Sequence, residues 1–452
     1  MREQYSSKPV GIRRHYRRCA PATPHIAVAF LLVALGMLYL IFGPTNSDLN
    51  LVLAMPRVHV VFNEPAVVPA APAAAAPAPG NATDDDEDRG LPPPRQLTDP
   101  PYSLGRAILD YDARRSAWLA AHPEVQVQVQ PAAGRRRPRV LVVTGSAPAR
   151  CPDPDGDHLL LRAFKNKADY CRVHGLDVFY NAAFLDAEMS GFWAKLPLLR
   201  ALMLAHPEVE LLWWVDSDAV FTDMAFEPPW ERYERHNLVL HGWPAKVFEE
   251  RSWVGVNTGS FLIRNCQWSL DLLDAWAPMG SRGPVRDSYG ELFARELSGR
   301  PPFEADDQSA LVYLLLTQRG RWGDKTFIES TYELNGFWEG IVDRYEELRR
   351  KGRPAGGLGD DRWPFVTHFV GCKPCRRYAD SYPADRCRRG MERAFNFADD
   401  QIMRLYGFEH EALNTTAVQR VGNETGGTLD ADDEELGRLL HPTFRAARPT
   451  QT

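Results

Sequence analysis

The sequence predicts an α/β domain built on a largely parallel sheet with helices on both faces, set beyond a membrane-length segment and a spacer. Three observations predict it. Short apolar, β-branched runs alternate with helical periodicities from Arg139 onward, and strands alternating with helices pair in parallel and bury both faces of their sheet. One run, Glu210-Leu211-Leu212-Trp213-Trp214-Val215, leads straight into Asp216-Ser217-Asp218. An apolar stretch and an Ala/Pro-rich region precede all of this.

Ile26 to Gly43 is an uninterrupted apolar stretch of 18 residues. At ~1.5 Å rise per residue it covers roughly 27 Å, about one bilayer core. Arg2, Lys8, Arg13, Arg14, Arg17 and Arg18 precede it against Glu3 alone, and no Lys or Arg follows until Arg57. That bias keeps the tail at residues 1–25 cytosolic and sends the chain beyond the transmembrane signal-anchor at 26–43 into the lumen. A cleaved signal peptide would have a shorter apolar region, ~7–15 residues, and a small-residue cleavage site, so the stretch fits an anchor better. Residues 44–105 read as a flexible lumenal stem, because Val67 to Pro79 is almost entirely Ala and Pro and Asp84 to Asp88 is acidic. Such chain has little apolar surface to bury against its ordering entropy. The folded domain is expected over 106–430, with a C-terminal tail at 431–452.

A lumenal location makes the sequons at Asn81, Asn414 and Asn423 usable for glycosylation. It also leaves Cys151, Cys171, Cys266, Cys372, Cys375 and Cys387 where disulfides form, with Cys19 on the cytosolic side. Six cysteines permit 15 connectivities, among which spacing does not choose. Cys372-Lys373-Pro374-Cys375 lacks the second ligand pair a zinc site would need, so a structural disulfide or buried thiols is the better reading. Across the 452 residues, 44% are hydrophobic and 25% charged, enough for a large core, and the net charge of −6 gives no global pull toward nucleic acid. The run Arg135-Arg136-Arg137-Pro138-Arg139 reads as a solvated lead-in to a strand.

Within the domain, Val140 to Gly145 has the composition of a buried strand. Asp157 can cap a helix whose Leu160, Phe164, Ala168 and Cys171 form its apolar face, and Gly175 ends it. Leu176 to Tyr180 is a second strand, Trp193 to Ala205 a second helix, and Glu210 to Val215 the strand that delivers Asp216 and Asp218. Ligands of open α/β sheets sit at the carboxyl ends of the strands. Two carboxylates there suit a hard cation such as Mg²⁺ or Mn²⁺ that also binds a diphosphate. An Asp-x-Asp by itself is common in ordinary loops, so three further segments matter. Gly255 to Ile263 places small polar residues at the start of an apolar strand, where a sugar can approach closely. Asp306, Asp307 and Gln308 cluster before a helix at Ser309 to Gln318, although Asp is also an ordinary N-cap. Pro364 to Gly371 reads as a strand delivering His368 and, five residues later, Lys373, a third metal ligand and a diphosphate contact.

The motifs Trp213-Trp214-Val215-Asp216-Ser217-Asp218-Ala219, Arg264-Asn265-Cys266-Gln267-Trp268-Ser269, Glu304-Ala305-Asp306-Asp307-Gln308-Ser309 and Thr367-His368-Phe369-Val370-Gly371-Cys372-Lys373-Pro374-Cys375 resemble plant glycosyltransferase family 34. Leu270 to Gly280 and Gly336 to Tyr345 resemble its xyloglucan α-1,6-xylosyltransferase branch rather than its galactomannan galactosyltransferases. The resemblance, from about Asp99 to Thr425, implies a GT-A-like nucleotide-sugar-binding fold and a type II Golgi membrane protein. It implies UDP-xylose as donor, a β-1,4-glucan as acceptor and retention of anomeric configuration. It further implies Asp216, Asp218 and His368 as Mn²⁺ ligands, Lys373 on the diphosphate, and Asp306, Asp307 and Gln308 at the transfer site. Thr144, Asp216, Asn257, Thr258 and Gly371 are further candidates for contacting the donor. In one place the chain departs from the xylosyl pattern: Asn335, not His, precedes Gly336-Phe337-Trp338. Asn keeps hydrogen-bonding capacity without the imidazole's charge.

Retention is open to two routes, a front-face displacement in which the leaving phosphate takes the acceptor proton, or covalent attack by Asp306 or Asp307. Two other functions compete: an α-1,6-galactosyltransferase acting on a mannan, and a weakly active partner assembling with sister transferases. Charged residues at Asp216, Asp218, His368 and Lys373 argue against the second.

Overall fold

The computed structural model describes residues 58–61, 93–126, 137–183, 185–189, 191–354, 358–359, 362–375 and 382–421. The expected anchor at 26–43, the sequons at Asn81 and Asn423 and the tail at 431–452 lie outside them. Among the described residues, no helix is long and apolar enough to cross a membrane.

The main sheet begins with β1 (Val58–Val61), β2 (Val140–Gly145), β3 (Asp177–Asn181) and β4 (Leu211–Val215). A short β5 (Ala219–Phe221) follows the acidic triplet and belongs to a second sheet, whereas β6 (Leu238–Gly242), β7 (Val256–Arg264) and β8 (Thr326–Glu329) complete the first. The order is β1-β3-β2-β4-β7-β6-β8. Strands β1 to β4 pair in parallel, as do β6 and β8, but β7 runs antiparallel to both β4 and β6. The sheet is therefore mixed. After β4 no long helix returns the chain: apart from β6, only a turn at Trp230–Tyr233 and a five-residue helix at Pro244–Phe248 lie between β5 and β7. The crossover that enforces parallel pairing is missing there.

The helices follow from local signals. Besides α1 (Tyr111–Ala121), α2 spans Pro154–His174. Asp153 rather than Asp157 caps α2: its side chain accepts from the Asp155 N–H, and Pro154 fills the first turn. Gly175 ends it in the left-handed region at φ 61°. The buried face is Leu159, Ala163, Asn166, Lys167 and Tyr170, about one position off the apolar face read from sequence. Two polar residues are inside because they satisfy the backbone of β5. Asn166 donates to Phe221 O and accepts from Phe221 N, both at 2.8 Å, and Lys167 Nζ donates to Ala219 O at 2.6 Å.

One face of the sheet carries Val143, Leu212, Trp214, Phe261 and Ile263 against α3 (Lys195–Ala205), α4 (Gln267–Trp276), α5 (Pro284–Glu296) and α6 (Asp307–Thr317). The other face carries Val142, Trp213 and Val215 against Tyr170 of α2, Phe221 and Phe365. On that side the second sheet stands in the order β5-β10-β9, with β9 at Gly336–Phe337 and β10 at Val366–His368. Next to it pack α7 (Tyr345–Lys351) and α8 (Ala384–Met403), followed by a hairpin of β11 (Phe408–His410) and β12 (Val418–Arg420). The expected stem boundary at residue 105 moves inward. Val58–Val61 forms the sheet edge, Arg95 N donates to Arg282 O at 3.2 Å, and the buried Tyr102 hydroxyl donates to Asp186 Oδ2 at 2.5 Å.

Candidate active site

Three segments far apart in sequence meet at the carboxyl end of β4. β5 pairs antiparallel with β10, placing His368 opposite Ala219, and Phe369 N donates to Asp218 O at 3.0 Å. This pairing brings His368 Nε2 to 3.2 Å from Asp218 Oδ1 and 3.7 Å from Asp216 Oδ2. On the other side Val215 pairs with Ser260 of β7, and Asp216 N donates to Gly259 O at 2.7 Å, bringing Asn257 to Gly259 alongside. A Cβ at Gly259 would lie 2.1 Å from His368 Cε1, so only glycine admits the imidazole here. Asp216, Asp218 and His368 each offer one ligand atom, all within 4.8 Å of one another. Two carboxylate oxygens and an imidazole nitrogen fit a divalent cation such as Mn²⁺ or Mg²⁺.

Electrostatically the site is a knot of opposite charges, with Lys195, Asp307 and His368 buried and Asp216 and Asp218 half-buried. Burial opposes charge on His368, but Asp218 and Asp216 outweigh it and hold the imidazole above its ordinary range. Sequence reasoning missed Lys195, at the start of α3 and only 2% exposed. Its Nζ lies 2.8 Å from Asp307 Oδ2 and 3.7 Å from Asp216 Oδ1, and donates to Thr258 O at 3.1 Å. Trp214 adds its ring face at 5.6 Å and donates its Nε1–H to Asp216 Oδ1 at 2.5 Å. Burial works against the ammonium, yet Asp216 and Asp307 raise the Lys195 pKa above its usual value. Burial pulls the Asp307 carboxyl upward as well; with two carboxylates and a carbonyl around the ammonium, the ion pair is the form the geometry favours. Lys167 is a second missed cation. Burial lowers its pKa to about 8, against the pull of Asp218 and Asp216. Neither lysine has a motif; the available signal was a lysine on a helix face that must be buried.

The remaining expected residues divide. Asp306 caps α6: its Oδ1 accepts from Ser309 N at 2.7 Å, and Arg300 Nη2 donates to its Oδ2 at 3.0 Å, so both oxygens are engaged structurally. Asp307 instead faces Lys195. Gln308 donates its amide to Trp253 O at 2.9 Å, tying the helix start to the loop before β7. Asn257 Oδ1 accepts from Gly259 N at 2.8 Å, and the Thr258 side chain is buried. At the carboxyl end of β2, Thr144 has a buried Oγ1 without a hydrogen-bond partner.

Lys373 is exposed and does not sit on a strand, because β10 stops at His368 and the chain turns through Gly371 at φ 85°. Its loop is held from both ends. Cys372 is bonded to Cys387 of α8, and Cys375 to Cys151 ahead of α2. Cys171 and Cys266 are free thiols. The CxxC is thus a branch point of two structural disulfides.

Residues 136–379 match the model of the galactosyl transferase GMA12/MNN10 family, glycosyltransferase family 34. The chain belongs to glycosyltransferase family 34. It is 75% identical over 452 residues, 98% of each chain, to "Probable glycosyltransferase 5" of Oryza sativa subsp. indica. "Probable xyloglucan 6-xylosyltransferase 1" of the same subspecies is 59% identical over 358 residues, covering 79% of this chain and 78% of that one. "Xyloglucan 6-xylosyltransferase 1" of Arabidopsis thaliana is 58% identical over 79% of this chain and 76% of its own. As a family 34 glycosyltransferase the chain takes a nucleotide-sugar donor and a glycan acceptor, and the sequence-level resemblance to the family is upheld.

Proposed function

We propose that this glycosyltransferase moves xylose from UDP-xylose to O6 of glucose in a β-1,4-glucan, with retention, as a Mn²⁺-dependent type II protein of the Golgi membrane. The observation that carries the reading is the convergence of Asp216, Asp218 and His368 next to the buried Lys195–Asp307 pair. Support for the xylosyl donor comes from 59% identity to a relative named as a xyloglucan 6-xylosyltransferase. Asp216, Asp218 and His368 would hold the metal, which when bound supplies positive charge to the diphosphate.

The rest of the work falls to the chain's own residues. Lys195 holds Asp307 at 2.8 Å and Asp216 at 3.7 Å in fixed positions, so little reorganisation is needed as charge develops in the transition state. Of the two adjacent carboxylates, Asp307 would be the one to stabilise a positively charged anomeric carbon or to attack it, because Asp306 is committed to its cap. Lys373, on its doubly tethered loop, meets the diphosphate, and Thr144 stands at the carboxyl end of β2, where a nucleotide would bind. The acceptor O6 replaces the phosphate oxygen at the anomeric carbon, and its proton leaves on the phosphate. Xylose lacks the C5 hydroxymethyl group, so the segments 257–260 and 306–308 need only fill that side. Forcing a larger group into a packed site costs roughly 1–3 kcal/mol, about 5- to 150-fold in rate.

Full-length enzyme in detergent, supplied separately with UDP-xylose, UDP-glucose and UDP-galactose and with cello-oligosaccharide, tests the reading. A pentosylated product with an α-1,6 linkage is expected. Faster turnover of UDP-galactose onto a mannan overturns it in favour of the galactosyl alternative. For the topology, Asn414 lies exposed on the β11–β12 connection. A glycosidase-sensitive mass at that position is expected; an unmodified Asn414 in chain isolated from Golgi would count against lumenal orientation.

A further inference from the structure

We infer that Phe337 is a stacking platform for the acceptor, its ring meeting the apolar face of a glucose residue beside the acidic site. The inference rests on the glucan acceptor proposed above. β9 and β10 pair in parallel with Phe337 opposite His368, and residues directly opposite in a ladder send their side chains to one side of the sheet. His368 uses that side to reach Asp218 and Asp216. Asn335, two residues before Phe337 and so on the same side, lays its side chain against His368 and Asn257. Phe337 therefore flanks the His368 imidazole. It is 48% exposed, whereas Trp193, Trp214 and Trp338 around the same site are buried. The ring of Trp338 meets it edge-on at 6.5 Å, bracing one flank while half of its surface stays open.

The position of the ring decides what covers it. α2 joins β2 to β3, and its Asn166 and Lys167 bond to Phe221 and Ala219 of β5. From β5 the second sheet steps through β10 to β9, away from α2, until Asn335 meets Asn257 of β7. Phe337 thus stands across His368 from β2, where a nucleotide would bind, and the acceptor is the substrate left for its side. A β-1,4-glucan suits such a ring. In β-glucose every ring hydroxyl and the C5 substituent is equatorial, so the axial C–H groups leave both faces apolar; β-mannose turns its axial O2 onto one of them. A flat aromatic ring that takes up one of these faces fixes the plane of the sugar, and with it the direction of O6. Clefts that bind small organic ligands combine aromatic lining with a few placed polar groups, and Phe337 beside Asp216, Asp218 and His368 is that combination.

The test titrates the full-length chain in detergent, with UDP and Mn²⁺ present, against cellopentaose and against mannopentaose by calorimetry. F337A should weaken cellopentaose binding roughly tenfold, the scale of one aromatic contact, while the dissociation constant of UDP stays within about twofold. F337W keeps a flat ring and should bind cellopentaose within about threefold of the parent. Thermal melting in EDTA controls for folding. Parent-like cellopentaose binding by F337A, equal weakening by F337A and F337W, or a loss of UDP binding as large as the loss of glucan binding overturns the inference. A parent that prefers mannopentaose removes the glucan reading instead; the platform then stands if F337A weakens mannopentaose binding by the same factor and falls if it does not. A parent that binds neither oligosaccharide overturns the platform.

Discussion

Replacing Lys195 by methionine keeps the volume of the side chain and deletes its charge. In the folded chain the ammonium lies 2.8 Å from Asp307 Oδ2 and 3.7 Å from Asp216 Oδ1, and it donates to Thr258 O at 3.1 Å. With Asp307 buried, Lys195→Met leaves an uncompensated carboxylate, and breaking one side of a buried pair costs about 3–5 kcal/mol. At about 2 °C per kcal/mol for a large domain, melting falls by roughly 6–10 °C. The assay is tryptophan-fluorescence melting of the full-length chain in EDTA and again in excess Mn²⁺. The deficit should narrow in Mn²⁺, because a cation at Asp216 supplies part of the missing charge. Lys195→Met with Asp307→Asn should recover part of the stability, since the orphaned charge is gone, with a coupling of about 0.5–3 kcal/mol. Turnover should not recover, and a loss of roughly 10²- to 10³-fold in kcat is expected from removing a preorganised charge. A single variant that melts with the parent in both buffers, or a double variant no more stable than the single, refutes the reasoning.

Three further outcomes follow from the same structure. Asp216→Asn and Asp218→Asn should each lower transfer at least 100-fold and abolish Mn²⁺-dependent protection against melting; unchanged transfer in EDTA would remove the metal from the account. Cys387→Ser opens a loop of 15 residues and should cost about 3 kcal/mol of stability. Because that loop carries Lys373, the donor KM should rise more than kcat falls, and a KM unchanged from the parent would detach Lys373 from the diphosphate. His241 and His174 are pushed by burial to about 4 from an ordinary 6.5. The unfolded chain therefore takes up these protons first. Their stabilisation is complete above pH 6.5 and is lost as pH falls toward 4, at up to ~1.4 kcal/mol per pH unit for each group. Melting temperature should drop across that window, and His241→Asn should flatten the slope; a profile indifferent to both would contradict the burial argument.

Local pattern made much of the fold legible. Val140 to Gly145 is largely apolar and forms the buried inner strand β2, and Gly175 ends α2 because glycine relaxes into the left-handed region. Asp216 and Asp218 were legible because β4 is apolar up to its last residue. His368 was a candidate from its strand-end position with Lys373, and the family resemblance joined it to Asp216 and Asp218; what brings it to Asp218 is the pairing of β5 with β10, 149 residues on by the numbering of Ala219 and His368. Long-range register leaves no local signature. Lys195 and Lys167 were illegible for a different reason: polar side chains on a buried face look like solvated ones until their carbonyl or carboxylate partners are in place. Asp306 and Asp307 are adjacent and chemically alike, and only helix geometry assigns one to the cap and the other to the lysine. The direction of β7 was missed because its apolar run fits a parallel and an antiparallel neighbour equally well.

The most direct test of the central claim is a competition in one vessel. Full-length enzyme and Mn²⁺ are mixed with equal UDP-xylose and UDP-galactose and with equal cello- and manno-oligosaccharides of the same length, and the products are read by mass spectrometry. The account predicts a pentose increment on the cello-oligosaccharide, with the α-1,6 linkage confirmed by NMR, and little increment on the mannan chain. A hexose increment on the manno-oligosaccharide as the main product would contradict it.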